Sequence, residues 1–126
     1  MSGTVERAIR RYLSAGSRLP TPTGRAVFVI AELLPDGIVL LFGEKQTRTV
    51  LAWDCLEGVS RFLRGRGWVA VGANRILPGD PSTLDGYLKT CLKRQTANYV
   101  AVLLERAGIV EVDSRPPARV RLLAQH

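Results

Sequence analysis

The chain has 126 residues, 46% of them hydrophobic, which is one domain's worth of sequence and enough to bury a core. Its 18 Lys+Arg against 11 Asp+Glu give a net charge of +7, and fifteen of the eighteen are arginine, so anionic partners are favoured: nucleic acid, an acidic protein or an anionic surface. No stretch reaches the ~18 apolar residues of a membrane span, no apolar run marks a secretory signal, and two cysteines are too few for a disulfide framework. The expectation is a cytoplasmic, non-membrane protein in which Cys55 and Cys91 are buried thiols.

In residues 4–14, Val5, Ala8, Ile9, Tyr12 and Leu13 share one helical face, and Arg7, Arg10 and Arg11 lie largely on the other. AGSRLPTPTG (15–24) holds two prolines and two glycines and is expected to be a linker, so residues 1–24 form a basic arm. AVFVIAELL (26–34), the turn Pro35-Asp36-Gly37 and IVLLF (38–42) predict a β-hairpin, with a third strand over Thr47–Trp53. Both faces of this meander (25–53) are apolar, so neither is expected to meet water. One face suits this chain's helices. The other suits a second subunit, making a homodimer, unless the sheet only packs on the N-terminal helix.

Asp54-Cys55-Leu56-Glu57 resembles a capping box and opens a helix with Leu56, Val59, Phe62 and Leu63 inward. The helix is expected to stop near Gly65-Arg66-Gly67, before a short extended segment, WVAVG (68–72). After a proline-bearing loop, Ser82 is a good N-cap for a helix that buries Leu84, Leu88, Cys91 and Leu92. Gly86 inside that helix costs about 1 kcal/mol relative to alanine, which implies a close neighbour. In KRQTANYVAVLLERAGIVEV (93–112), Val100, Leu103, Leu104 and Ala107 form an inward stripe, and Gly108 stops the helix. IVEVD (109–113) and ARVRLL (118–123) then alternate as half-buried strands around the turn Ser114-Arg115-Pro116-Pro117.

From residue 54 onward this order of elements, with a helix ending LLERAGIVEV before a basic hairpin, resembles the winged helix-turn-helix superfamily. The resemblance covers residues 54–126 and is one of pattern. It implies an α+β protein: an N-terminal helix and three-stranded antiparallel sheet followed by a winged helix-turn-helix. It also implies nucleic-acid binding, DNA first and RNA second, by a helix over about 95–107 whose start enters the major groove. Gln95, Asn98, Tyr99 and Val102 would then face outward, Gln95 and Asn98 suited to adenine and Arg94 to guanine. Lys89 and Lys93 suit phosphate, and Arg115, Arg119 and Arg121 lie on the wing, the last two on one strand face opposite Val120 and Leu122. Arg61, Arg64, Arg66 and Arg75 form a second basic cluster, though a helix end also attracts Arg64 and Arg66 through its dipole. The expected role is a small DNA-binding regulator. The alternative is a protein-interaction adaptor or a small subunit of a larger nucleic-acid-processing complex.

Catalysis finds little support in these residues. The single histidine is His126, and no Cys/His cluster has zinc spacing. Glu44 and Lys45 are adjacent, so they point to opposite faces of a strand, whereas the metal-nuclease pattern needs them two apart. Asp36 is explained by its turn. Gly65-x-Gly67 follows a helix and lacks the spacing of a phosphate cradle. No catalytic residue, metal or cofactor is expected.

Overall fold

Residues 3–22, 24, 26–72 and 80–123 are described by the structure, a computed structural model. Over these residues the chain forms four helices and two antiparallel sheets, an α+β architecture. The first half runs α1 (Thr4–Tyr12), β1 (Arg18–Pro20), β2 (Val27–Leu33), β3 (Gly37–Phe42) and β4 (Thr47–Ala52). The second half runs α2 (Trp53–Leu63), β5 (Val69–Ala70), α3 (Leu84–Leu88), α4 (Ala97–Arg106), β6 (Val110–Asp113) and β7 (Arg119–Leu122). Among the described residues no helix is long and apolar enough to cross a membrane.

The first sheet has the order β1-β2-β3-β4, one strand more than the sequence pattern predicts. The extra strand, β1, lies in the expected linker. Leu19 is buried opposite Phe28, and Pro20 sits on the sheet's edge, where its missing N–H interrupts no ladder. A β-bulge between Ile30 and Glu32 explains why β2 shows no clean alternation. Ile30 and, beyond the bulge, Leu33 both face inward with Ile38, Leu40 and Leu51, while Glu32 is put outside opposite Val39. The two faces therefore differ. The inner one packs into the core, and the outer one leaves Val27 and Val50 46% and 42% exposed beside the Glu32–Arg48 ion pair.

Helix α1 packs on α2 and α4 and buries Val5 and Ile9 completely. Its N-cap, Gly3, has no side chain to offer. The cap comes instead from α2: Glu57 Oε1 and Oε2 accept hydrogen bonds from the backbone N–H of Val5 (3.0 Å) and Glu6 (2.8 Å). The capping box expected at 54–57 is thus absent, and α2 begins at Trp53 with Ala52 as N-cap and no side-chain cap. Leu34 O ties the same corner together, accepting from Trp53 Nε1 (2.8 Å) and Arg10 Nη2 (2.7 Å).

Thr83, not Ser82, caps α3, its Oγ1 accepting from Gly86 N at 3.0 Å. Ser82 bonds Asp80 Oδ1 instead. The close neighbour expected at Gly86 is the Asp80 carbonyl, which a Cβ there would strike. Cys55 and Cys91 are not thiols but a disulfide with Cα atoms 6.0 Å apart, joining the first turn of α2 to the turn after α3. The inference of buried thiols from apolar faces fails because Cys91 is exposed and lies beyond the end of α3. The second sheet has the order β5-β7-β6 and buries Val69, Val110 and Val120.

Candidate nucleic-acid interface

Strict pairing of β6 with β7 builds the solvent face of the second sheet. Asp113 lies opposite Arg119, and Glu111 opposite Arg121. Each acid holds its partner: Arg119 Nη2 is 2.8 Å from Asp113 Oδ2, and Arg121 pairs with Glu111. Arg115, in the turn, adds a forked contact to both Asp113 oxygens at 3.0 Å each. The hydrogen bonds from Arg115 and Arg119 hold the Asp113 carboxyl well below the usual aspartate range.

Trp68 completes this face. Ala70 pairs with Arg119, so Trp68, two residues before it, shares the arginines' side of the sheet. The Arg119 and Arg121 Cζ atoms lie 5.0 and 4.6 Å from the Trp68 ring centroid. The result is an indole flanked by two guanidiniums, with Arg115 beside them on Asp113. A related cluster sits at the end of α2. Phe62 stacks on Tyr87 at 5.1 Å, and the Arg66 guanidinium lies 4.5 Å from the Phe62 centroid. Burial pushes the Tyr87 hydroxyl's pKa up, and the charge of exposed Arg61 opposes that shift.

The helix expected to enter a groove is placed differently. Val102, expected outward, is 4% exposed, and Thr96 is fully buried. Tyr99 points into the first sheet, stacked on Phe42 at 4.2 Å and edge-on to Phe28 at 5.1 Å, and burial raises its hydroxyl pKa. Asn98 is half-buried, and only Glu105 and Arg106 are exposed on α4. The physical reason is the first sheet. A helix with one apolar stripe needs one covered face, but α4 also buries Ala97, Ala101 and Val102: the sheet's aromatic inner face covers the Tyr99 side, and α1, α3 and β6 pack on α4 as well. Arg94 follows the same geometry, its Nη1 reaching Thr49 Oγ1 of β4 at 3.4 Å.

Lys93, Arg94 and Gln95 remain exposed before α4. Lys89 is paired as Arg119 and Arg121 are, though with a buried acid: its Nζ lies 3.2 Å from Oδ2 of Asp85, a carboxylate 1% exposed. Arg64 is exposed on the end of α2, and Arg75 lies outside the described residues. The structure thus brings Arg115, Arg119 and Arg121 together and leaves Lys93 to Gln95 as a separate exposed stretch. Tyr99 is withdrawn from the surface it was expected to share, and Asn98 is half-buried.

No family model matches this chain, and no curated protein or solved structure is significantly similar to it.

The geometry carries its own chemistry. Arginine beside a half-buried aromatic ring offers charge to phosphate and part of a flat surface to a base. Trp68 and Phe62 are absent from the sequence-derived site. Their signal was present, in aromatic residues spaced among arginines over 61–68, but only strand register shows that Trp68 shares a face with Arg119 and Arg121.

Proposed function

We propose that residues 53–123 form a winged helix-turn-helix and that the protein binds nucleic acid through the outer face of its second sheet. The order α2-β5-α3-α4-β6-β7, with β7 between β5 and β6, supports the winged-helix reading. The observation that carries the binding reading is Trp68 between the Arg119 and Arg121 guanidiniums, in a chain of net charge +7. Such a face contacts backbone and stacks bases. With α4 covered, sequence-independent binding to DNA, or to RNA, fits better than deep readout of base edges. Lys93, Arg94 and Gln95 extend the contact.

The outer face of the first sheet suits a second copy of the chain. Val27, Val29, Leu41 and Val50 are flanked there by both signs of charge, Glu32 and Arg48, so a two-fold contact is self-complementary. A Val50→Glu change is expected to convert a dimer to monomer in sedimentation velocity. The covering of α4 favours a second reading, a protein-interaction adaptor, in which the wing arginines serve only the fold.

Fluorescence anisotropy with random-sequence duplex and single-stranded DNA over a salt series separates the two. Binding that weakens steeply with salt is expected, and Arg119→Ala or Arg121→Ala should each reduce the salt slope by about one. Asn98→Ala should leave base preference unchanged. Absence of binding at low salt would leave the adaptor.

A further inference from the structure

Alongside the buried stripe of α1, a groove of about 550 Å³ runs between α1 and the C-terminal end of α4. Arg7, Arg11 and Tyr12 form one wall, and Glu105 and Arg106 the other. It shares no lining residue with the wing. Its volume is in the range of small-ligand sites.

The arginines divide by what they do. Arg10 is committed to the fold, bonding Glu6 at 2.8 Å and Leu34 O at 2.7 Å, with its guanidinium over Trp53. Arg7 and Arg106 are exposed, and their guanidiniums have no hydrogen bond or ion pair among the described residues. Arg11 lies over the Tyr12 ring at 5.4 Å, and that ring is 60% exposed. Attraction of cations to a helix C-terminus is the plainer account of Arg11 and Arg106, which lie in the last turns of α1 and α4. It is weakened here because the last turns of α4 are already satisfied: Leu103 O, Leu104 O and Glu105 O accept from the N–H of Ala107 (3.0 Å), Ile109 (2.9 Å) and Gly108 (3.0 Å).

Three guanidiniums against one carboxylate leave two net positive charges in the groove, beside an open aromatic ring. That charge matches a phosphate monoester dianion, and the ring matches a planar base. We infer that the groove between α1 and α4 is a binding site for a nucleoside monophosphate, its phosphate held by Arg7, Arg11 and Arg106 and its base laid on Tyr12. The site is separate from the wing and does not depend on it.

Calorimetric titration of the full chain tests this, with AMP, GMP, CMP, UMP and inorganic phosphate as probes. At least one nucleotide should bind tenfold or more tightly than phosphate. Arg106→Ala and Arg7→Ala should each weaken it about tenfold, the scale of one charge-assisted hydrogen bond. Tyr12→Ala should bring the nucleotide down to the level of phosphate. These side chains are exposed, and unchanged far-UV circular dichroism would verify that the variants fold. No binding at millimolar nucleotide, equal binding of phosphate and nucleotide, or arginine variants without effect would each overturn the inference. So would loss of single-stranded DNA binding in the groove variants with nucleotide affinity unchanged. Arg119→Ala should leave nucleotide binding intact. A chain that binds the nucleotide but no DNA would support the groove and refute the wing.

Discussion

Glu57 is the residue whose removal best tests how the two halves of the chain are joined. It sits on α2, yet its two carboxylate oxygens receive the first backbone N–H groups of α1 from Val5 and Glu6. Glu57→Ala leaves both donors without that acceptor in a part-buried corner. Loss of a side-chain cap costs ~1 kcal/mol, and loss of a negative charge at a helix N-terminus adds ~0.3–1 kcal/mol. A total of about 2 kcal/mol is expected, which for a chain of this size lowers Tm by roughly 7 °C. Glu57→Gln keeps one acceptor oxygen and should cost about half as much. Gly3→Ala should reproduce much of the effect, because a Cβ there would strike the Glu57 carboxylate. The two changes act on one contact, so the double variant should fall short of the sum. Urea unfolding followed by circular dichroism measures all four. A loss under about 0.5 kcal/mol for Glu57→Ala, or full additivity with Gly3→Ala, would refute the idea that this carboxylate anchors α1.

Cys91→Ser should destabilise the oxidised protein by up to about 4 kcal/mol, the loop-closure entropy for a sequence separation of 36, and leave the fully reduced protein unchanged. Equal loss in reducing and oxidising buffer would contradict it. Gly86→Ala should be destabilising by more than ~1 kcal/mol despite alanine's better helix propensity, because Asp80 O occupies the space; a stabilised variant in thermal melts would show the turn can yield. The Asp113 pKa is depressed, so its share of stability is present above the unfolded value of about 3.9 and is lost as pH falls through the lower folded value. The Asp113 carboxyl signal in NMR should therefore not titrate around pH 3.9, and a midpoint there would mean its pairs with Arg115 and Arg119 are absent.

The stretches easiest to read in the sequence were those with one buried face. The α4 stripe of Val100, Leu103 and Leu104, the stop at Gly108 and the alternation of β6 and β7 all stand where their periods put them. So does Gly86, because a glycine inside a helix asks for a neighbour. What the pattern hid were contacts between distant segments. Glu57 looked like half of a local capping box, since sequence spacing cannot say that α1 will arrive to claim it. Leu19 looked like linker because a three-residue edge strand is too short to show a period. The bulge between Ile30 and Glu32 changed the parity of β2 and made its two faces look alike. For the site, Arg119 and Arg121 were legible on one face, but their acids and Trp68 came only with register. Tyr99 was misplaced for a larger reason: the pattern of α4 alone could not show that Phe28 and Phe42 of the first sheet would be laid on it.

That covering sheet has a kinetic consequence. Any partner that must reach the first turns of α4 meets a roof held by the Phe28–Tyr99–Phe42 ring contacts and Arg94 on Thr49. The accessible form is then a minor population, and the observed affinity is reduced by the fraction that is open. Association through α4 would show a rate that levels off with rising partner concentration, at the speed with which the sheet lifts. Association through the outer face of the second sheet, which waits for no opening, would rise linearly.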